Sequence, residues 1–83
     1  MGIDYSKLRN LTAREIINAL SRDGFCLRGQ RGSHRHYHHP DGRRITVSFH
    51  RPGDTFTPKT LKSMIERQAK WNEEDLKRLK LLK

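Results

Sequence analysis

The chain has one cysteine, one tryptophan and nine acidic residues among 83, and its apolar runs fall well short of the roughly 18 residues that cross a bilayer. A lone Cys26 excludes an internal disulfide and a cysteine-based zinc knuckle, so we read it as a small half-buried strand residue. The N-terminal stretch lacks the apolar centre of a signal peptide, which gives the cytoplasm as the expected compartment and no membrane as partner. With 83 residues the chain is expected to form a single domain, 1–83, burying about 60% of its unfolded surface. That leaves no room for a separate cofactor or regulatory domain.

The shortage of acid is met by an excess of base. Eighteen Lys and Arg give a net charge of +9, a preference for polyanions such as nucleic acid or an acidic protein. The charge is not spread evenly. Between Phe25 and Pro52 lie all five histidines, His34, His36, His38, His39 and His50, with six arginines and Asp41 as the sole acid. Imidazole exchanges protons near neutral pH and guanidinium grips phosphate through paired donors, so this segment suits work on a phosphodiester.

Local signals divide the chain into helix, three strands, helix and a short last helix. Thr12 with Glu15 forms a capping box, Ile16, Ile17 and Leu20 recur at helical spacing, and Gly24 is a favourable stop, predicting a helix over 12–22. Strands are expected at 25–30, 33–39 and 44–49, the first two joined by a turn at Gly29-Gln30-Arg31-Gly32 and the last two by Pro40-Asp41-Gly42. Thr57-Pro58 opens a helix on which Leu61, Met64, Ile65 and Gln68 share a face. Asn72 precedes the last, with Glu73, Glu74 and Asp75 at its positive end.

The second turn decides where the histidines point. A three-residue Pro-Asp-Gly loop pairs His39 with Arg43, and hence Tyr37 with Ile45 and Arg35 with Val47. Tyr37, Ile45, Val47 and Phe49 then face the core, while His34, His36 and His38 lie beside Arg44, Thr46 and Ser48 on a polar face. A two-residue Asp41-Gly42 turn would shift the pairing by one and set the histidines opposite the apolar residues. The expected fold class is α+β, an α-β-β-β-α arrangement with a three-stranded antiparallel sheet and a short extra C-terminal helix, as in double-stranded-RNA-binding domains.

Gly32-Ser33-His34, Tyr37, the run His39-Pro40-Asp41-Gly42-Arg43-Arg44, Thr46-Val47, His50, Thr60-Leu61, Ile65 and Gln68-Ala69 stand at spacings that resemble the HicA (YcfA-like) toxin family over about residues 9 to 80. The resemblance implies ribosome-independent cleavage of mRNA, neutralisation by a HicB-like antitoxin, and an essential histidine at the position of His34. The pattern departs from the family at Lys59, where glycine is frequent, and at Lys70-Trp71-Asn72, where a glycine turn is usual.

RNA cleavage needs no cofactor and no metal when a base takes the 2′-hydroxyl proton and an acid protonates the leaving oxygen. His34 is the expected base. Gly32 and Ser33 allow close approach to a backbone, His36 shares the face, and His50 is a candidate acid, phosphate ligand or antitoxin contact. Arg31, Arg43 and Arg44 are expected on phosphates, and Arg35 is turned toward the helices by the same register. Two other classes compete: a non-catalytic double-stranded-RNA binder using Lys59 and Lys62, and a metal binder built on the alternate histidines, which lacks a carboxylate or thiol to complete its shell. The free protein is expected to be a monomer.

Overall fold

The computed structural model of the chain describes residues 3–82. After a 3-10 turn at Tyr5–Lys7 come α1 (Ala13–Asp23), β1 (Cys26–Arg31), β2 (His34–His38) and β3 (Arg44–Ser48). Then follow α2 (Pro58–Lys62), continued by a π-helical stretch (Ser63–Gln68), and α3 (Glu73–Arg78). The order is the α-β-β-β-α plus terminal helix that the sequence predicts, and the strands form one antiparallel sheet in the order β1-β2-β3.

Caps place the helices. The Thr12 hydroxyl accepts the Glu15 N–H at 3.2 Å, and the Glu15 carboxylate accepts the Thr12 N–H at 3.1 Å. That reciprocal pair satisfies donors the helix cannot reach itself. The α1 stop is Gly24 at φ +102°. The left-handed backbone favours glycine here, and a Cβ would also crowd His39 Nε2 at 3.0 Å. Thr57 and Asn72 cap α2 and α3 through their side chains.

The Pro40-Asp41-Gly42 loop has three residues. His39 N–H donates to the Arg43 carbonyl and Gly42 N–H to the His39 carbonyl, both at 2.9 Å, with Gly42 at φ +100°. Tyr37 therefore pairs with Ile45 and Arg35 with Val47, and the two-residue alternative is ruled out. Tyr37, Ile45 and Val47 are buried with Ile16 and Leu20 of α1, Leu61, Met64 and Ile65 of the second helical segment, and Leu76 of α3. Phe49, expected among them, is half-buried.

Two expectations fail on β1. The first hairpin turns at Gly32-Ser33, with Gly32 at φ +59° and Arg31 paired to His34. A positive φ at the first of two central positions is what a type II′ turn requires. Gly29, placed in the turn by the sequence reading, instead follows a bulge that leaves Arg28 unpaired between Leu27 and Gly29. Cys26 is exposed and not half-buried, because β1 is a sheet edge whose six residues are all exposed while the sheet's core residues come from β2 and β3.

The other edge is capped at one position. Thr46 N–H on β3 donates to Gln68 Oε1 at 2.9 Å, and Gln68 Nε2 donates to Ser63 Oγ at 3.3 Å. Beyond the π-helical stretch, Lys70 takes a left-handed conformation, φ 56°, at the place where the sequence departs from a glycine turn. Among the described residues no helix is long and apolar enough to cross a membrane.

Candidate nucleic-acid interface

The register builds a polar array on the open side of the sheet. His34 lies opposite Ser48, His36 opposite Thr46 and His38 opposite Arg44 on β3, while Arg31 lies opposite His34 on β1. Directly paired residues of an antiparallel sheet project to the same side, so His34 stands between a serine hydroxyl and a guanidinium. Its ring is exposed and has no hydrogen-bond partner among the described residues. His36 is half-buried, with Nδ1 2.9 Å from Thr46 Oγ1. Partial burial, and then the neighbouring Arg44, Arg28 and His36, hold the His38 imidazole below its ordinary value of 6.5.

The expected site residues do not all meet on this face. Arg44 is at the far end of the array from His34, across from His38. Gly32, Ser33 and His50 line a cleft of about 220 Å³ at the end of the sheet together with Gln30, Arg35 and Phe49. Arg35 lies with its guanidinium 4.8 Å from the Phe49 ring centre, consistent with a side chain turned toward α1. The His50 N–H is held by the Asp54 carboxylate at 2.9 Å, as is the Arg51 N–H at 3.1 Å. Those two bonds keep the Asp54 carboxyl below the usual carboxylate range.

Arg43 is directed elsewhere. Its Nη1 donates to the Ala69 carbonyl at 2.7 Å and lies 3.2 Å from Asp23, its Nε donates to Asp41 at 2.8 Å, and its plane covers Phe25 at 4.9 Å. With Nη1 and Nε engaged by carboxylates and a carbonyl inside the molecule, Arg43 ties the hairpin turn to the helices, a structural role beside the phosphate contact expected of it. His39 has a similar place. Its Nε2 donates to the Asp23 carbonyl at 2.8 Å, while Nδ1 lies 2.9 Å from the Asp41 carboxylate and 3.1 Å from the Asp41 amide.

Both converge on Asp23, which the sequence reading passed over. Its carboxylate accepts Trp71 Nε1–H at 2.9 Å and Arg78 Nη2–H at 2.9 Å. Burial pushes this carboxyl up, but the bonds from Trp71 and Arg78 and the charges of Arg43 and Arg78 outweigh it and hold the group below its ordinary value of 3.8. Gln68 was also missed as a functional group, although a glutamine on an otherwise apolar helix face signals a polar partner to be satisfied. Among the described residues no three His, Cys, Asp or Glu side chains converge as a metal-holding group.

A basic α-β-β-β-α domain with helices on one side of its sheet and a histidine-arginine array on the other belongs to the class of small folds shaped like double-stranded-RNA-binding domains. The model of the HicA toxin of bacterial toxin-antitoxin systems matches residues 13–71, and the chain belongs to that family. Membership makes it the toxin of a toxin-antitoxin pair. No curated protein matches it.

Proposed function

We propose that this HicA toxin is a metal-independent, ribosome-independent endoribonuclease that cleaves mRNA in the cytoplasm with His34 as general base. The observation that carries the reading is His34 itself: an exposed imidazole at the start of β2, without an internal hydrogen bond among the described residues, flanked by Arg31 and Ser48. A ring so placed is available to a 2′-hydroxyl, and Arg31 is positioned to neutralise the phosphate it attacks. The attack forms a 2′,3′-cyclic phosphate and breaks the bond to the 5′ oxygen, which takes a proton from an acid. His36, held by Thr46, orients the array, Gly32 and Ser33 let the backbone approach, Arg44 engages a more distant phosphate, and His50 at the end of the sheet is the candidate acid. A HicB-like antitoxin silences the protein by covering this face.

His34→Ala should leave folding intact, because the side chain is exposed, and lower RNA cleavage in the presence of a chelator by about 10² to 10⁴. Wild-type products should carry cyclic or 3′ phosphates, and RNA binding should persist in the variant. Undiminished cleavage by folded His34→Ala, or a wild-type activity that disappears with chelator, would overturn the assignment.

A further inference from the structure

Around the β3 edge from His34, the sheet and the second helical segment enclose a groove of about 290 Å³ whose lining includes Ser48, Phe56, Lys59, Thr60, Ser63 and Gln68. We propose that this groove binds one nucleoside of single-stranded RNA beside the phosphate presented to His34, and thereby sets sequence preference. The proposal rests on the endoribonuclease reading for its link to cleavage, but its binding component stands separately.

Continuity is the first argument. Ser48 lines the groove and is also the cross-strand partner of His34, so a strand with its phosphate at His34 has its next nucleoside at the groove. The chemistry of the walls is the second. Phe56 is half-buried and packed on the core, a fixed aromatic surface of the kind on which bases stack regardless of sequence. Lys59 is exposed at the rim, a point charge for phosphate.

The polar wall is oriented before any ligand arrives. Gln68 Oε1 accepts the Thr46 N–H, which fixes the amide, and of its two N–H groups one is directed at Ser63 Oγ while the other has no partner among the described residues. The Thr60 hydroxyl accepts from Thr57 at 3.0 Å, leaving its own hydrogen to donate. The groove thus offers an amide donor and two hydroxyls at fixed positions, enough to distinguish the edges of bases, next to a surface that does not. At this volume the groove lies near the small end of ligand pockets, about 300 Å³, suited to one base.

The test uses the full chain and a fluorescein-labelled randomised single-stranded RNA pool, with fold checked by thermal melting. Phe56→Leu should weaken RNA binding by about 5- to 150-fold, the range for loss of one stacked base. Lys59→Ala should lower the salt slope of binding by about 0.7, the value for one single-strand phosphate contact. Ser63→Ala and Thr60→Ala should change base preference at one position beside the cleaved bond. Unaltered binding in Phe56→Leu and Lys59→Ala, alongside cleavage that still depends on His34, would overturn the groove assignment and leave the proposed activity standing. RNA binding that weakens in both variants of a protein that cleaves nothing would support the groove and overturn the catalytic reading. An identical base preference in Ser63→Ala, Thr60→Ala and wild type would remove the specificity role.

Discussion

Arg43 and Arg44 are adjacent in sequence and have opposite fates. Arg43 bridges Asp23, Asp41 and Ala69, whereas Arg44 is exposed opposite His38. Arg44→Ala should therefore weaken RNA binding with a shallower salt dependence and an unchanged melting temperature, and Arg43→Ala should do the reverse. Asp23→Ala removes the acceptor shared by Trp71, Arg78 and Arg43 and should cost about 2 to 4 kcal/mol in chemical denaturation. That range lies between the loss of hydrogen bonds to a charged group and the breaking of a fully buried ion pair. Because the folded carboxyl titrates below 3.8, its contribution is complete above that value and is lost as the pH falls through the lower folded value. Stability measured from pH 5 downward should fall less steeply in Asp23→Asn than in wild type if this group drives the loss.

At the level of elements, the join between the π-helical stretch and α3 is one of two strained points among the described residues, Lys80 after α3 being the other at φ 62°. Lys70 holds a left-handed conformation at φ 56°, which costs a residue with a Cβ about 1–2 kcal/mol, offset for glycine by about 0.5–1 kcal/mol of extra chain entropy. Lys70→Gly should accordingly raise stability by about 0.5–1 kcal/mol in denaturant melts, and an equal loss would show that the lysine side chain contributes something the backbone does not. The hairpin that carries His34 was legible because Pro40-Asp41-Gly42 fixes the loop length, and loop length fixes every cross-strand pair. The first hairpin was not, since two glycines, Gly29 and Gly32, offered competing turn positions and only the tertiary bulge at Arg28 decides between them. Arg43 and Gln68 escaped for another reason. Their partners, Asp23 and the Thr46 amide, lie 20 and 22 residues away in sequence, beyond any local pattern.

For the molecule as a whole, charge is distributed unevenly. A surplus of +9 with Asp41 as the single acid from Phe25 to Pro52 favours an acidic partner at the histidine face; if the antitoxin binds there as proposed, association should slow as salt rises while dissociation changes little. The bound antitoxin should stop RNA cleavage. Continued cleavage in the complex, or contact confined to residues 73–82, would place the antitoxin elsewhere. The family match ends at residue 71, yet α3 inserts Leu76 into the common core and sends Arg78 back to Asp23, so the last helix is integral to this protein's stability. The sheet itself is asymmetric in a way that limits assembly. With the Thr46 amide already engaged by Gln68, β3 cannot accept a further strand there without displacing that side chain. Sheet growth, by a neighbouring copy or by any extended segment, is directed to β1, where the unpaired Arg28 interrupts the template and restricts an incoming strand to short stretches on either side.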